Sequence, residues 1–412
     1  MEIYQYYERK RTIVSTIQEL KAGIHNSSVW GTRLYFLAFT IYFLPNFLMQ
    51  TTFATDAISH VLRLISYIAL PLLLYKIFVV DTWSRKELII IVLLLLSGVI
   101  TWRVAQISDY LFLFPFIFGA KDIDFKLIVK WYLYYNAVFL LSVIAFSLLK
   151  IIPNLIYYSL SRPTRYSLGM VYPSNIAALG LFMALAYCYL RFNHLNFLDY
   201  CGIFLIAYIG MKLTNTRLDF LATILIIPIM IIAQRAYFNK GIARYIASFF
   251  WLAVPITAWV VVFGSYFYNN DNYFLKKLND ISSGRLALGY TAFQRYKPNL
   301  FGRSITEFSN AGIQGHRYAN GIEQISHEYF YIDSSYLRML LLWGIIAFII
   351  IVICLTLVAL ISTIRRTYVL SAIILITSLS LMFEPHVIQI IYNPFLLYLF
   401  SIDDYAIKRG TI

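Results

Sequence analysis

Long stretches of this chain carry almost no polar position. "LIIIVLLLLSGVI" (88–100) and "LLLWGIIAFIIIVICLTLVALI" (340–361) are the plainest. A hydrocarbon core takes about 20 apolar residues per helix, and these runs do not alternate as barrel strands would. Hydropathy windows predict helices over roughly 30–48, 58–78, 87–102, 107–119, 129–151, 174–190, 197–213, 217–234, 245–264, 334–361, 368–383 and 387–402. The expected fold class is therefore an all-α polytopic membrane protein of about 12 transmembrane helices. One large loop separates the ninth and tenth. The weakest members are the fourth, "YLFLFPFIFGA", and the pair meeting at "RFNHLNF".

Composition agrees with the pattern. The chain is 60% hydrophobic and 13% charged, against roughly 25% charged in soluble domains. Lys and Arg number 34, Asp and Glu 20, for a formal charge of +14. That excess reads as membrane topology, since cytoplasmic loops collect Lys and Arg, and not as a nucleic-acid surface. Threading the helices from a cytoplasmic N-terminus puts Lys76, Arg85, Lys121, Lys126, Arg235, Arg365 and Arg366 inside, with both termini. The chain then divides into five parts. They are a cytoplasmic amphipathic segment (1–29), nine spans (30–264), a large extracytoplasmic loop (265–333), three spans (334–402) and a cytoplasmic tail (403–412). The implied location is the cell membrane, multi-pass. Cys188, Cys201 and Cys354 lie in apolar segments and show neither a disulfide framework nor zinc spacing.

Several arginines fall on the side where topology does not want them. "SLSRPTRYSLGMVYPSN" holds Arg162 and Arg165, and "KLTNTRLDF" holds Arg217. The long loop holds Arg285, Arg295, Arg303 and Arg317, and Arg338 follows just inside the next helix. A single such arginine is readily explained by snorkelling or by an acid such as Asp219 or Asp333. Arginines from three separate outer elements point instead to an anion site, because guanidinium binds phosphate through paired donors and stays charged when desolvated. The loop ends "SHEYFYIDSSYLRM". His327 and Asp333 are the candidate bases there, although Asp333 also suits a helix N-cap. Tyr329, Phe330, Tyr331 and Tyr336 are candidate rings for stacking on sugar faces, although Tyr at an interface is also ordinary aromatic-belt behaviour. Residues 285–296 suit an amphipathic helix with Leu286, Tyr290 and Phe293 on one face. Glu384 and His386 flank Pro385 and read as a turn before the last span. No acidic or histidine cluster in the outer loops has metal-ligand spacing, so neither metal nor cofactor is expected.

The succession "TNTRLDFLATIL", "SSGRLALGYTAFQRYKPNLFGRS" and "DSSYLRMLLLWGII" resembles Wzy-type O-antigen and capsular repeat-unit polymerases. "SRPTRYSLGMVYPSN" adds to the likeness, which spans about residues 85–400 in architecture. These proteins are related to O-antigen ligases and belong to the GT-C glycosyltransferases. The resemblance implies an inverting, metal-independent transfer of a growing glycan from undecaprenyl diphosphate to the incoming lipid-linked repeat unit. It implies a membrane-lipid setting, with a flippase and a chain-length regulator as associated proteins. The family's helix-start arginine falls on Arg217, here preceded by "TNT", and its Ser-Gly-Arg arginine on Arg285. Arg217, Arg285, Asp333 and His327 are thus the expected catalytic residues. Arg162, Arg165, Arg295, Arg303, Arg317, Arg338, Tyr290 and Tyr336 would bind substrate. Ligases carry a histidine where this chain has Asp333, which favours a polymerase and leaves the base open between Asp333 and His327. A ligase or a lipid-oligosaccharide flippase is the alternative; a transporter would show repeats, broken mid-membrane helices and charges deep in its spans, whereas here the charges cluster at the outer face and one loop dominates.

Overall fold

The computed structural model describes residues 29–159, 162–239, 241–323, 328–386 and 388–403. The amphipathic segment expected at 1–29 lies outside these residues except for its last position, and His327 and most of the C-terminal tail lie outside them too. Helix α1 runs over 29–48. It is followed by α2 (Asp56–Tyr67), α3 (Ala69–Tyr75) with a π-turn to Val80, α4 (Arg85–Ala105), α5 (Asp109–Gly119) and α6 (Phe125–Leu148). After a hairpin of β1 (Ile156–Ser159) and β2 (Arg162–Tyr166) come α7 (Pro173–Arg191), α8 (Phe197–Thr214), α9 (Arg217–Tyr237), α10 (Gly241–Ala247) and α11 (Ala253–Tyr266). The long loop folds as α12 (Tyr273–Ile281), α13 (Arg285–Arg295) and α14 (Gly312–Ala319). The chain closes with α15 (Ser335–Arg338), α16 (Ile345–Ile364) and α17 (Val369–Ser380). Eight helical stretches among the described residues are long and apolar enough to cross a membrane, so the protein is membrane-embedded.

Three expected helices differ. The run 107–119 becomes α5, whose residues from Tyr110 onward are all buried. A helix apolar all round belongs inside a bundle, and α5 is too short to span. Its rings meet those of α1, which in turn meet α6: Tyr42 lies 4.7 Å from Phe112 and 5.0 Å from Phe116, and Phe43 lies 5.6 Å from Tyr135. Helix 334–361 is broken at Gly344, where φ is 96°. Of the expected helix 387–402, the described residues 388–402 form no α-helix. They are a chain of turns ending in a 3₁₀ segment, Phe395–Phe400, and are almost wholly buried. "YNPF" explains this, since Pro394 removes a backbone donor and restricts Asn393 before it.

The break at Gly344 is a backbone clasp. Arg303 N donates to Leu342 O (3.0 Å) and Ile345 N to Asn299 O (2.8 Å). A Cβ on Gly302 would sit 1.9 Å from Leu342 O, and one on Gly344 would sit 2.4 Å from Leu300 O. Only glycine permits this approach. The clasp ties the middle of the long loop to the bundle.

The loops sort to two ends. At one, Lys76 pairs with Asp81 (2.8 Å) and donates to Lys121 O (3.1 Å). Phe125 N donates to Ile402 O, and Arg365 donates to the Tyr398 hydroxyl, which in turn donates to Asp403. These are segments the charge pattern groups as cytoplasmic. At the other end, Thr51 bridges Met170, and the hairpin, α13 and the turn after α17 converge.

Candidate functional site

A cavity of about 460 Å³ opens at that second end. Sharp turns build its wall. Asn215, left-handed at φ 50°, stops α8 and lets α9 begin two residues later with Arg217. Ser283 and Gly284, at φ 58° and 86°, turn α12 into α13, whose first residue is Arg285. Pro173 opens α7, which brings Ser174 and Asn175 to the wall. The first turns of α7, α9 and α13 thus all face the cavity, and helix N-termini favour anions.

Arg165, Arg217, Arg285, Arg338 and Asp333 all line this space. Arg165, on β2, donates through Nε to Thr214 O (2.8 Å) and through Nη1 to the Tyr172 hydroxyl (3.2 Å). Arg285 donates to Phe383 O and Ser282 O, each at 3.2 Å, and its Nε stands 3.6 Å from Asp333 Oδ2. Arg338 is held by Glu307 (2.8 Å). Arg217 is exposed to the cavity. Burial raises the Asp333 carboxyl above its ordinary range, against the pull of Arg285 and Arg338. Burial likewise pushes the Tyr331 hydroxyl up to about 12.

Other expected residues stand elsewhere. Arg295 pairs with Glu328 (2.7 Å) and lies over Phe330, and Arg317 pairs with Glu323 (2.9 Å). Arg303 belongs to the clasp. Tyr290 is exposed, beside Tyr268. Tyr336 is fully buried, its hydroxyl 2.8 Å from that of Thr257, so it is a core residue rather than a stacking platform. The Arg162 side chain and His327 lie outside the described residues.

The cavity also holds groups that the sequence pattern reads as a turn or as a pairing acid rather than as part of a site. Glu384 and His386 are buried in its wall and do more than flank a turn. His386 stacks on Tyr392 (3.8 Å) and its Nδ1 meets Gln389 Oε1 (2.8 Å); Gln389 Nε2 donates to Asp109 Oδ2 (3.1 Å). With the Gln389 amide donating to Asp109, its Oε1 faces His386 and can only accept, so Nδ1 carries the proton and Nε2 faces Glu384 Oε2 at 3.6 Å. Burial, with Asp219 nearby, raises Glu384 well above the carboxylate range, and burial lowers His386 to about 4. Asp219 is buried in the same wall. A Pro-bracketed Glu and His in a short polar break between apolar runs is the one sequence signal that marks this group.

Among the described residues, no three His, Cys, Asp or Glu side chains converge as a metal-holding set. The chain matches no family model, and comparison with curated proteins and with solved structures returns no match.

Proposed function

We propose that the protein is a membrane glycosyltransferase that polymerises lipid-diphosphate-linked repeat units, of the kind its sequence resembles. One observation carries the reading: Arg165, Arg217 and Arg285, from three distant segments, line one cavity together with the carboxyl of Asp333. A diphosphate needs several guanidinium groups around it, and a sugar transfer needs a proton acceptor nearby.

In this reading the acceptor hydroxyl of the incoming unit attacks the anomeric carbon of the donor glycan. The bond from that carbon to the phosphate oxygen breaks, and its electron pair leaves with the undecaprenyl diphosphate. The hydroxyl proton passes to Asp333. Arg165, Arg217 and Arg285 offset the charge growing on the leaving diphosphate, with the N-termini of α7, α9 and α13 adding to the positive potential. In this reading the cavity faces the extracytoplasmic side and both chain ends are cytoplasmic. A flippase would supply the lipid-linked unit, and a separate regulator would set chain length.

Reconstitution in liposomes with a lipid-linked repeat unit tests the reading. The parent protein yields a ladder of chains. Arg285→Ala lowers the rate by about 10²–10³-fold, as loss of one transition-state donor does, and leaves single units on lipid. Full-rate chain growth by Arg285→Ala would remove this arginine from the site. Movement of the lipid-linked unit without growth would identify a flippase, and transfer to another acceptor a ligase.

A further inference from the structure

We propose that α12 is an interfacial helix that seats its apolar edge in the bilayer at the cavity end and thereby sets the height of Arg285. The inference stands apart from the proposed chemistry. Helix α12 buries none of its residues. Phe274 and Ile281, seven apart and so on one helical stripe, are 65% and 61% exposed among the described residues. Its inner side is held by Leu275, Leu278 and Asn279, which are half-buried.

Chain continuity says what covers the stripe. Helix α11 is part of a membrane-crossing stretch that ends at Tyr266. Its rings Trp259, Phe263 and Phe267 stack in a line at 5.1 and 5.9 Å, and all three are exposed as lipid-facing side chains are. Residues 267–272 join it to α12, a tether of no more than about 25 Å at ~3.3–3.6 Å per residue. The Phe274–Ile281 edge therefore lies next to the end of that lipid-facing line. Exposed Lys276 and Lys277 put positive charge on the same helix. An amphipathic helix with aromatic and aliphatic residues on one edge and lysines beside them lies in the headgroup boundary.

The joint between α12 and α13 is stiff. Gly284 N donates to Asn279 O (2.8 Å), and the Asn279 side chain accepts from Ala287 N (3.0 Å). Arg285 is the first residue past this joint. A helix fixed at the lipid boundary therefore fixes how deep Arg285 reaches.

The test uses the full protein in phosphatidylcholine–phosphatidylglycerol vesicles, with Cys201→Ser and Cys354→Ser; Cys188 is buried. Spin labels go on Phe274→Cys, Ile281→Cys, Asp280→Cys and, as the in-bilayer reference, Phe263→Cys. Collisions with oxygen, which concentrates in lipid, and with an aqueous nickel chelate report depth. The expected oxygen-to-nickel ratio at 274 and 281 is severalfold that at 280 and approaches that at 263. Either label suffices, so failure of one variant to fold leaves the other. Ratios at 274 and 281 equal to that at 280 would overturn the proposal, whatever the protein's activity.

Discussion

Arg285 illustrates how much one side chain is asked to do. It bonds two backbone carbonyls, stands 3.6 Å from Asp333 and lines the cavity. In the proposed reaction an incoming diphosphate would compete with Asp333 for it and so free the carboxyl that serves as base. Asp333→Asn should lower transfer by about 10²–10⁴-fold while leaving binding of a lipid diphosphate intact, measured by turnover and by ligand-induced thermal shift. Nearly unchanged turnover would pass the base role to another group. Glu384 and His386 make opposite contributions to stability. Burial lowers His386 from 6.5 to about 4. Between those values the unfolded chain binds more protons, so this stabilising contribution is complete above 6.5 and is lost as pH falls toward 4. Glu384 is raised from 4.5, so the folded chain binds more protons above that value and stability falls as pH rises. Melting curves from pH 4 to 8 should show His386→Asn less sensitive to acid than the parent, and Glu384→Gln less sensitive to rising pH. Parallel curves for parent and both variants would contradict these assignments.

At the scale of elements, sequence reading succeeds where periodicity and burial agree. The amphipathic pattern at 285–296 becomes α13, and of the three residues expected on its face only Phe293 is buried while Tyr290 stays exposed. It fails where an apolar run is interrupted by backbone geometry. Gly344 looks like any glycine in "LLLWGII", yet its φ of 96° and its contact with Leu300 and Gly302 divide the helix. That contact involves residues some forty apart in sequence, and no local window contains it. Gly302→Ala is expected to destabilise by at least ~1–3 kcal/mol, because its Cβ would meet backbone rather than a flexible side chain. Thermal unfolding in detergent measures this, and an unchanged midpoint would mean the clasp yields at no cost.

For the whole molecule, the sorting of loops to two ends gives the charge pattern a physical test. Arg366 is exposed at the end holding Lys76 and Lys121, and Lys297 is exposed in the loop that follows α13. With Cys201→Ser and Cys354→Ser, Lys297→Cys should react in intact cells with a membrane-impermeant thiol reagent, and Arg366→Cys only after the cells are opened. Labelling of both from one side would refute the two-ended arrangement across a membrane.

Composition and run length alone made this a helical membrane protein, because burying so many apolar residues in water has no solution and lipid demands that each span satisfy its own backbone. Arginine placement alone drew attention to the outer loops. Which arginines meet was decided only by tertiary structure. Arg165, Arg217, Arg285 and Arg338 line one cavity, while Arg295 and Arg317 are paired elsewhere and Arg303 serves the clasp. The reason is that turns such as Asn215 and Ser283–Gly284 set direction in space, and direction is not a property of spacing along the chain. His386, Gln389 and Asp109 became one hydrogen-bonded chain with Glu384 beside it for the same reason: Asp109 is 280 residues from Gln389 and reaches it only after the bundle closes.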